Sequence, residues 1–177
     1  MKAKKILAVL ACALLPYAGL TAGGFQTGLF NSLKGFGLCM DHPATPDIIN
    51  SYMLYADMYG VLDGRICSPG VKLVYLHQNR LLAFDAGEAQ AGLFIAPGVS
   101  TGIVYNSDPE FPGLLTAACL SVSLRFSFTR RIEIETGFFT ELGFISRRNE
   151  YGTSIQVYDN GYQQSYIPHI KLMYRFR

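Results

Sequence analysis

The sequence predicts an all-β chain: a closed antiparallel transmembrane β-barrel of eight strands behind a cleavable signal peptide. Three observations carry this. First, the second half of the chain alternates apolar and polar residues with period 2, the mark of strands with two unlike faces. These runs are about fifteen residues long, well beyond the strand of about 5–6 residues usual in soluble domains. Second, 50% of the residues are hydrophobic, only 16% are charged, and the mean hydropathy is +0.21. Yet no apolar run after residue 22 approaches the ~20 residues of a membrane helix. A barrel reconciles apolar wealth with the lack of such a helix, because it satisfies all backbone groups between strands. Third, the chain ends on an amphipathic strand. Tyr166, Pro168, Ile170, Leu172, Tyr174 and Phe176 share one face, and His169, Lys171 and Arg175 share the other. Terminal residues tend to fray, but a barrel's last strand must seal the sheet against its first.

The leader comes first. Met1-Lys-Ala-Lys-Lys5 is positive, Ile6 to Leu15 is apolar, and Leu20-Thr-Ala22 offers small residues for cleavage. That order is a secretory signal peptide, too short to span a bilayer. The expected division is 1–22 signal peptide and 23–177 barrel. Cys39, Cys67 and Cys119 remain after cleavage. An odd number without C-x-x-C spacing is neither a disulfide framework nor a zinc site; one bridge can form, and the sequence does not pick it. A net charge of +2 and no basic block beyond the leader exclude a nucleic-acid partner.

Residues 25–40 read as strand with blurred alternation and many glycines. Asp41 to Asp47, with two prolines, is a turn. Residues 48–60 alternate again, with Tyr52, Leu54, Ala56 and Met58 opposite Ser51, Met53, Tyr55 and Asp57. From Val71 a strand sets Leu73 and Tyr75 opposite Lys72, and its far end, towards Phe84, is irregular. In 91–105 the odd face is bulky, and the even face is mostly glycine, alanine and serine. Residues 114–128 place Leu114, Leu120, Val122, Leu124, Phe126 and Phe128 on one side, and Ala117, Cys119, Ser121, Ser123, Arg125 and Ser127 on the other. Residues 132–145 set Ile132, Ile134, Phe138, Leu142 and Phe144 against Glu133, Glu135 and Glu141. Fourteen residues at ~3.3 Å each reach roughly 46 Å, which at a tilt of about 40° covers an apolar band of ~25 Å with overhang.

The last two of these strands fix their own register. A three-residue loop, Thr129-Arg130-Arg131, pairs Phe128 with Ile132 and keeps like faces together. It sets Arg125 opposite Glu135 and Ser127 opposite Glu133, so Arg125–Glu135 is expected as an ion pair inside the barrel. Its test is a charge swap: Arg125→Glu should destabilise, and adding Glu135→Arg should partly restore. The strand count has two solutions. In one, Thr153–Tyr158 is a short eighth strand and Asp159-Asn-Gly161 a hairpin turn. In the other, the shortest connection, 129–131, is periplasmic, 147–163 is a long external loop, and the eighth strand comes from a hairpin within 23–40.

The signal peptide, the amphipathic strands and the terminal His169-Ile-Lys-Leu-Met-Tyr-Arg-Phe176 together resemble the small outer-membrane β-barrel proteins of Gram-negative bacteria, most of all those of the Bacteroides group. The resemblance implies an outer-membrane location, lipid as surroundings, and an assembly signal at Tyr174 and Phe176 read by the barrel-insertion machinery. Here Arg177 follows the aromatic that usually ends such chains.

An eight-stranded barrel is just wide enough for its own side chains. By alternation Arg125, Lys171 and Arg175 point inward with Glu133, Glu135 and Glu141. Equal numbers of acids and bases favour a paired polar plug over a charged channel. Arg147 and Arg148 lie where strand meets loop and are candidates for lipid-phosphate contacts. The histidines are His42, in a turn; His77, on the face of Val71; and His169, inward. Ser165 shares a face with His169 but lies ~13 Å along the strand, too far for a nucleophile and its base. No phosphate loop, nucleophile elbow or calcium loop is present, so no catalytic residue, metal or cofactor is expected.

The reading is therefore a non-enzymatic outer-membrane barrel with a plugged polar interior. Its surface loops would serve structural, adhesive or partner-binding roles; the extracellular partner is not legible. The alternatives are an outer-membrane lipid-modifying enzyme using His77 or His169, and a secreted soluble barrel holding a hydrophobic ligand. The soluble barrel would bury Leu120, Phe138 and Leu172 and put the three glutamates in water.

Overall fold

The computed structural model describes residues 24–32, 34–58, 69–87, 89–105, 112–149, 152–158 and 168–176. The leader, Cys67 and Asp159-Asn-Gly161 lie outside the described residues. Nine strands form one antiparallel sheet: β1 (Gln26–Ser32), β2 (Gly35–Pro43), β3 (Ile48–Asp57), β4 (Gly70–Ala86), β5 (Ala89–Val104), β6 (Gly113–Ser127), β7 (Ile132–Asn149), β8 (Gly152–Tyr158) and β9 (Pro168–Arg175).

Consecutive strands pair from β1 to β8, and β9 closes the sheet by pairing with both β7 and β1. Two strands share one place in the wall. β9 covers Ile132–Phe138 of β7, and β8 covers Gly143–Asn149. Nine strands thus make a closed barrel of eight positions.

Both strand-count solutions are partly corrected here. The eighth position does draw on a hairpin near the N-terminus, since 25–40 is two strands, β1 and β2. Its alternation looks blurred because the short turn between Ser32 and Gly35 reverses parity. Leu29 is exposed on an odd position, Phe36 and Leu38 on even ones. The short strand over 153–158 also exists, but as the partner of an extended β7, not as a hairpin partner of the last strand. β9 prefers the other half of β7 because faces match there: Lys171 meets Glu135 inside, and Leu172 meets Ile134 outside. The irregular end of β4 is a β-bulge between Arg80 and Leu82, where one extra residue shifts the pairing.

The β6–β7 register has Arg125 opposite Glu135 and Ser127 opposite Glu133, and Phe128 N–H donates to Ile132 O at 3.3 Å. Following partners once around the wall leads from Glu135 through Lys171, Phe30, Gly37, Tyr55, Lys72, Gly102 and Leu115 to Ile145. The walk returns to β7 ten residues further on. With ~3.3 Å per residue and ~4.8 Å between strands, that stagger tilts the strands by roughly 40°.

Bulky outward side chains such as Leu120, Phe138, Leu142 and Leu172 are exposed, while Glu133, Glu135 and Glu141 are buried. Between the buried charges lies an apolar layer that includes Phe30, Met53, Val74, Leu76, Phe139 and Met173. Small inward residues make room for long ones. At Gly143 an added Cβ would run into the backbone of Thr116 and Ala117 on β6. Gly143→Val is expected to cost about 3 kcal/mol, read as a lower denaturant midpoint of the refolded barrel.

The wall is not of even height. β1, β2 and β9 have 7, 9 and 8 residues, whereas β4 to β7 have 17, 16, 15 and 18.

Candidate functional site

The barrel interior holds two separate ionic clusters. The first, nearer the end where β1 begins and β9 finishes, is centred on Arg125 of β6. Its Nη2 donates to Asp41 of β2, to Glu135 Oε2 at 2.6 Å and to Gln78 Oε1 at 2.8 Å; its Nη1 donates to Glu133 Oε2 at 3.3 Å. Glu133 also accepts from Gln26 Nε2 at 3.0 Å and from Arg175. Lys171 Nζ lies 2.9 Å from Glu135 Oε1 and donates to Ser51 Oγ at 3.2 Å. Arg125, Lys171 and Arg175 are thus set against Asp41, Glu133 and Glu135. Burying a charge is costly unless a partner and hydrogen bonds accompany it, and this arrangement supplies both.

The second cluster lies further along the barrel. Lys72 Nζ is 2.8 Å from Glu141 Oε2, 2.7 Å from Asp57 Oδ2 and 2.7 Å from the Tyr158 hydroxyl. Buried Lys34 lies in the same field of charge, so two lysines face two carboxylates. Tyr158, the last residue of β8, is fully buried and turns into this cluster, fixing β8 to the interior.

The six interior residues named from the sequence all point inward, but they do not form one network. Glu141 belongs with Lys72, not with Arg125. Asp41, Gln26 and Gln78 complete the first cluster, and Asp57 and Tyr158 complete the second; sequence reasoning missed all five. Asp41 was hidden by its His-Pro neighbours, which read as a turn. Asp57 shares parity with Ser51, Met53 and Tyr55, so the signal was present there.

Arg147 and Arg148 separate. Adjacent strand residues face opposite sides, so the pair cannot share one role. Arg147 is 5% exposed and donates to Gln156 Oε1 at 3.1 Å. Its assignment to lipid phosphate is corrected, because its guanidinium turns inward. Arg148 is exposed.

The histidines are dispersed. His77 Nδ1 lies 3.0 Å from Asn50 Oδ1, which also accepts from the Tyr75 hydroxyl. His42 stacks near Phe25, with ring centroids 5.1 Å apart. His169 is buried with Nε2 3.4 Å from Glu135 and its ring beside Phe30. Among the described residues no serine bonds to a histidine; Ser165 lies outside them. Cys39 and Cys119 are buried and free.

Tyr174 of β9 and Phe176 just after it are both exposed on the outer face, with ring centroids 5.2 Å apart and edge-to-face. Phe176 N–H donates to Phe25 O at 2.9 Å, tying the far end of β9 to the start of β1. At this end the connections 44–47, 87–88 and 128–131 are short. The mouth here opens as a cavity of about 890 Å³, lined by the β4–β5 hairpin, the turns at 43–47 and 127–130, and Arg125 and Arg175.

No protein-family model matches the chain, and no curated protein sequence matches it. A solved structure that does match is the N-terminal β-barrel domain of Pseudomonas aeruginosa OprF, with a TM-score of 0.53 at 14% identity. The match covers 87% of this chain and 98% of that one. At this identity the likeness speaks for the fold: a closed antiparallel barrel of eight strands.

Proposed function

We propose that this chain, which shares its closed eight-strand plan with the OprF barrel, is an integral outer-membrane protein of a Gram-negative bacterium. Residues 1–22 direct its export. Tyr174 and Phe176 on the sealed last strand are the positions that the assembly machinery reads. The observation that carries this reading is the direction of the faces. Leu29, Leu38, Leu120, Phe138, Leu142 and Leu172 stand outward and exposed, while carboxylates and cations are paired inside. Water on the outer wall would leave a continuous apolar belt unpartnered; hydrocarbon satisfies it.

The role is non-enzymatic. Two neutralised clusters and the apolar layer between them block the interior, so the barrel acts through its surface and loops, structurally or by holding a partner. The end carrying 44–47, 87–88 and 128–131 is periplasmic on this reading, because barrels of this class keep short turns there and longer loops outside, and the longest connection between described strands, from Asp57 to Gly70, lies at the other end beside the short β1–β2 turn. Arg148 meets lipid headgroups. The narrower affinity with Bacteroides-group barrels is supported by the last strand alone.

Fractionation with heat-dependent migration in detergent gels tests the location; a water-soluble pool migrating the same with and without boiling would overturn it. Reconstituted into planar bilayers, the protein is expected to show no stable open steps, since side chains fill so narrow a barrel. Regular conductance of porin size would sink the plugged interior and leave the location standing.

A further inference from the structure

We propose that the short-turn mouth is a docking cup for an extended peptide segment of a partner protein, which adds as a strand to the free edge of β4 with carboxylate side chains turned inward and apolar ones outward. The inference goes beyond the outer-membrane reading and concerns a surface that reading does not use.

The edge comes from unequal strand ends. β3 begins at Ile48, opposite Asn79, and the last bond on that side runs from Arg80 N–H to Asp47 O at 2.8 Å. Beyond it β4 continues from Leu81 to Ala86, paired with β5 alone among the described residues. A strand's N–H and C=O groups point alternately to its two neighbours, so part of this stretch directs both groups to an empty side. Natural edges are commonly blunted by lysine, proline or brevity. Leu81-Leu-Ala-Phe-Asp-Ala86 carries no lysine and no proline, and Leu81, Leu82 and Phe84 are exposed.

The cup beside this edge defines the guest. Arg80, Arg125, Arg130 and Arg175 line it with Asp85 and Glu133; Arg80 is paired with Asp47, and Arg125 with Asp41 and Glu135. Glu133 is already engaged by Arg125 and Arg175. Arg130 is exposed and, among the described residues, has no ion pair. Side chains of an added strand that face this wall therefore meet the exposed guanidinium of Arg130, while those facing out run beside Leu82 and Phe84. Because strand side chains alternate, the fitting sequence alternates carboxylate and apolar residues. Main-chain pairing supplies affinity and the alternate side chains supply selectivity, as in other strand-addition complexes.

The test uses the full mature chain refolded in detergent and a fluorescein-labelled peptide, acetyl-(Val-Glu)₃-amide, read by anisotropy. Saturable binding is expected, with about tenfold loss when lysine replaces glutamate. A similar loss is expected when the backbone nitrogens along one side of the peptide are methylated, since those donors make the edge bonds. Arg130→Glu, an exposed change away from the buried clusters, is expected to weaken binding about fivefold without altering heat-dependent migration. The proposal is overturned if the glutamate peptide does not saturate, if the lysine peptide or both methylated sets bind equally, or if inorganic phosphate displaces it as readily as unlabelled peptide. The last result would mark a plain anion site or a lipid headgroup site. A barrel that fractionates with the membrane but fails this test loses the cup and keeps its location.

Discussion

Replacing Arg125 by leucine is expected to lower the unfolding free energy of the barrel by about 3–5 kcal/mol, the range for removing one partner of a buried ionic group. The change leaves Asp41, Glu133 and Glu135 facing one another, with only Lys171 and Arg175 to answer them. It also strands the acceptor that Gln78 offers to Nη2. Urea titration of the protein in micelles, followed by gel migration and circular dichroism, measures the loss; a shift below about 1 kcal/mol would show that the cluster is no hub. The swap of Arg125→Glu with Glu135→Arg is now expected to rescue little. Position 135 also lies 2.9 Å from Lys171 and 3.4 Å from His169, so an arginine there meets a second cation. A pairwise exchange presumes a pair, and the structure has a network.

The second large effect is on the outer wall. Leu120→Arg is expected to cost about 2–4 kcal/mol in folding into lipid vesicles, as for cations placed near the midplane of a barrel. Leu120 is 41% exposed, stands midway along the outward stripe of β6, and has Pro97 and Thr140 as its neighbours across the sheet. On a water-soluble barrel the same exposed position would tolerate arginine within about 0.5 kcal/mol. The measurement is the urea midpoint for vesicle insertion, compared with Arg148→Ala at the rim, where little change is expected. Equal tolerance at both positions would remove hydrocarbon from the outer face.

Much of the barrel was legible because period-2 alternation is a local signal. Strands 114–128 and 132–145 carried face, register and the Arg125–Glu135 juxtaposition in one stretch of chain, with a short loop to hold them in phase. What stayed hidden needed long-range closure. Asp41 and Lys72 find Arg125 and Glu141 only when the ten-residue stagger carries their strands to the same depth, and no local pattern encodes that stagger. The β1–β2 hairpin was obscured by its own parity reversal, and the division of one wall position between β8 and β9 by the distance between them in sequence. Arg147 was misplaced because a pair of arginines invites one role, although strand geometry assigns two.

If the barrel sits in the membrane proposed for it, its uneven wall has a bearing on the lipid around it. At roughly 2.5 Å of height per tilted residue, the flank made by β1 and β2 rises only about 20 Å, and the flank of β4 to β7 about 40 Å. In the outer membrane proposed for this barrel, hydrocarbon chains beside the low flank would have to shorten or the whole cylinder to lean, and either adjustment costs fractions of a kcal/mol per ångström of mismatch. Neighbouring proteins that also prefer a pinched bilayer would collect on that side, giving the barrel a preferred azimuth in a crowded membrane without a single direct contact.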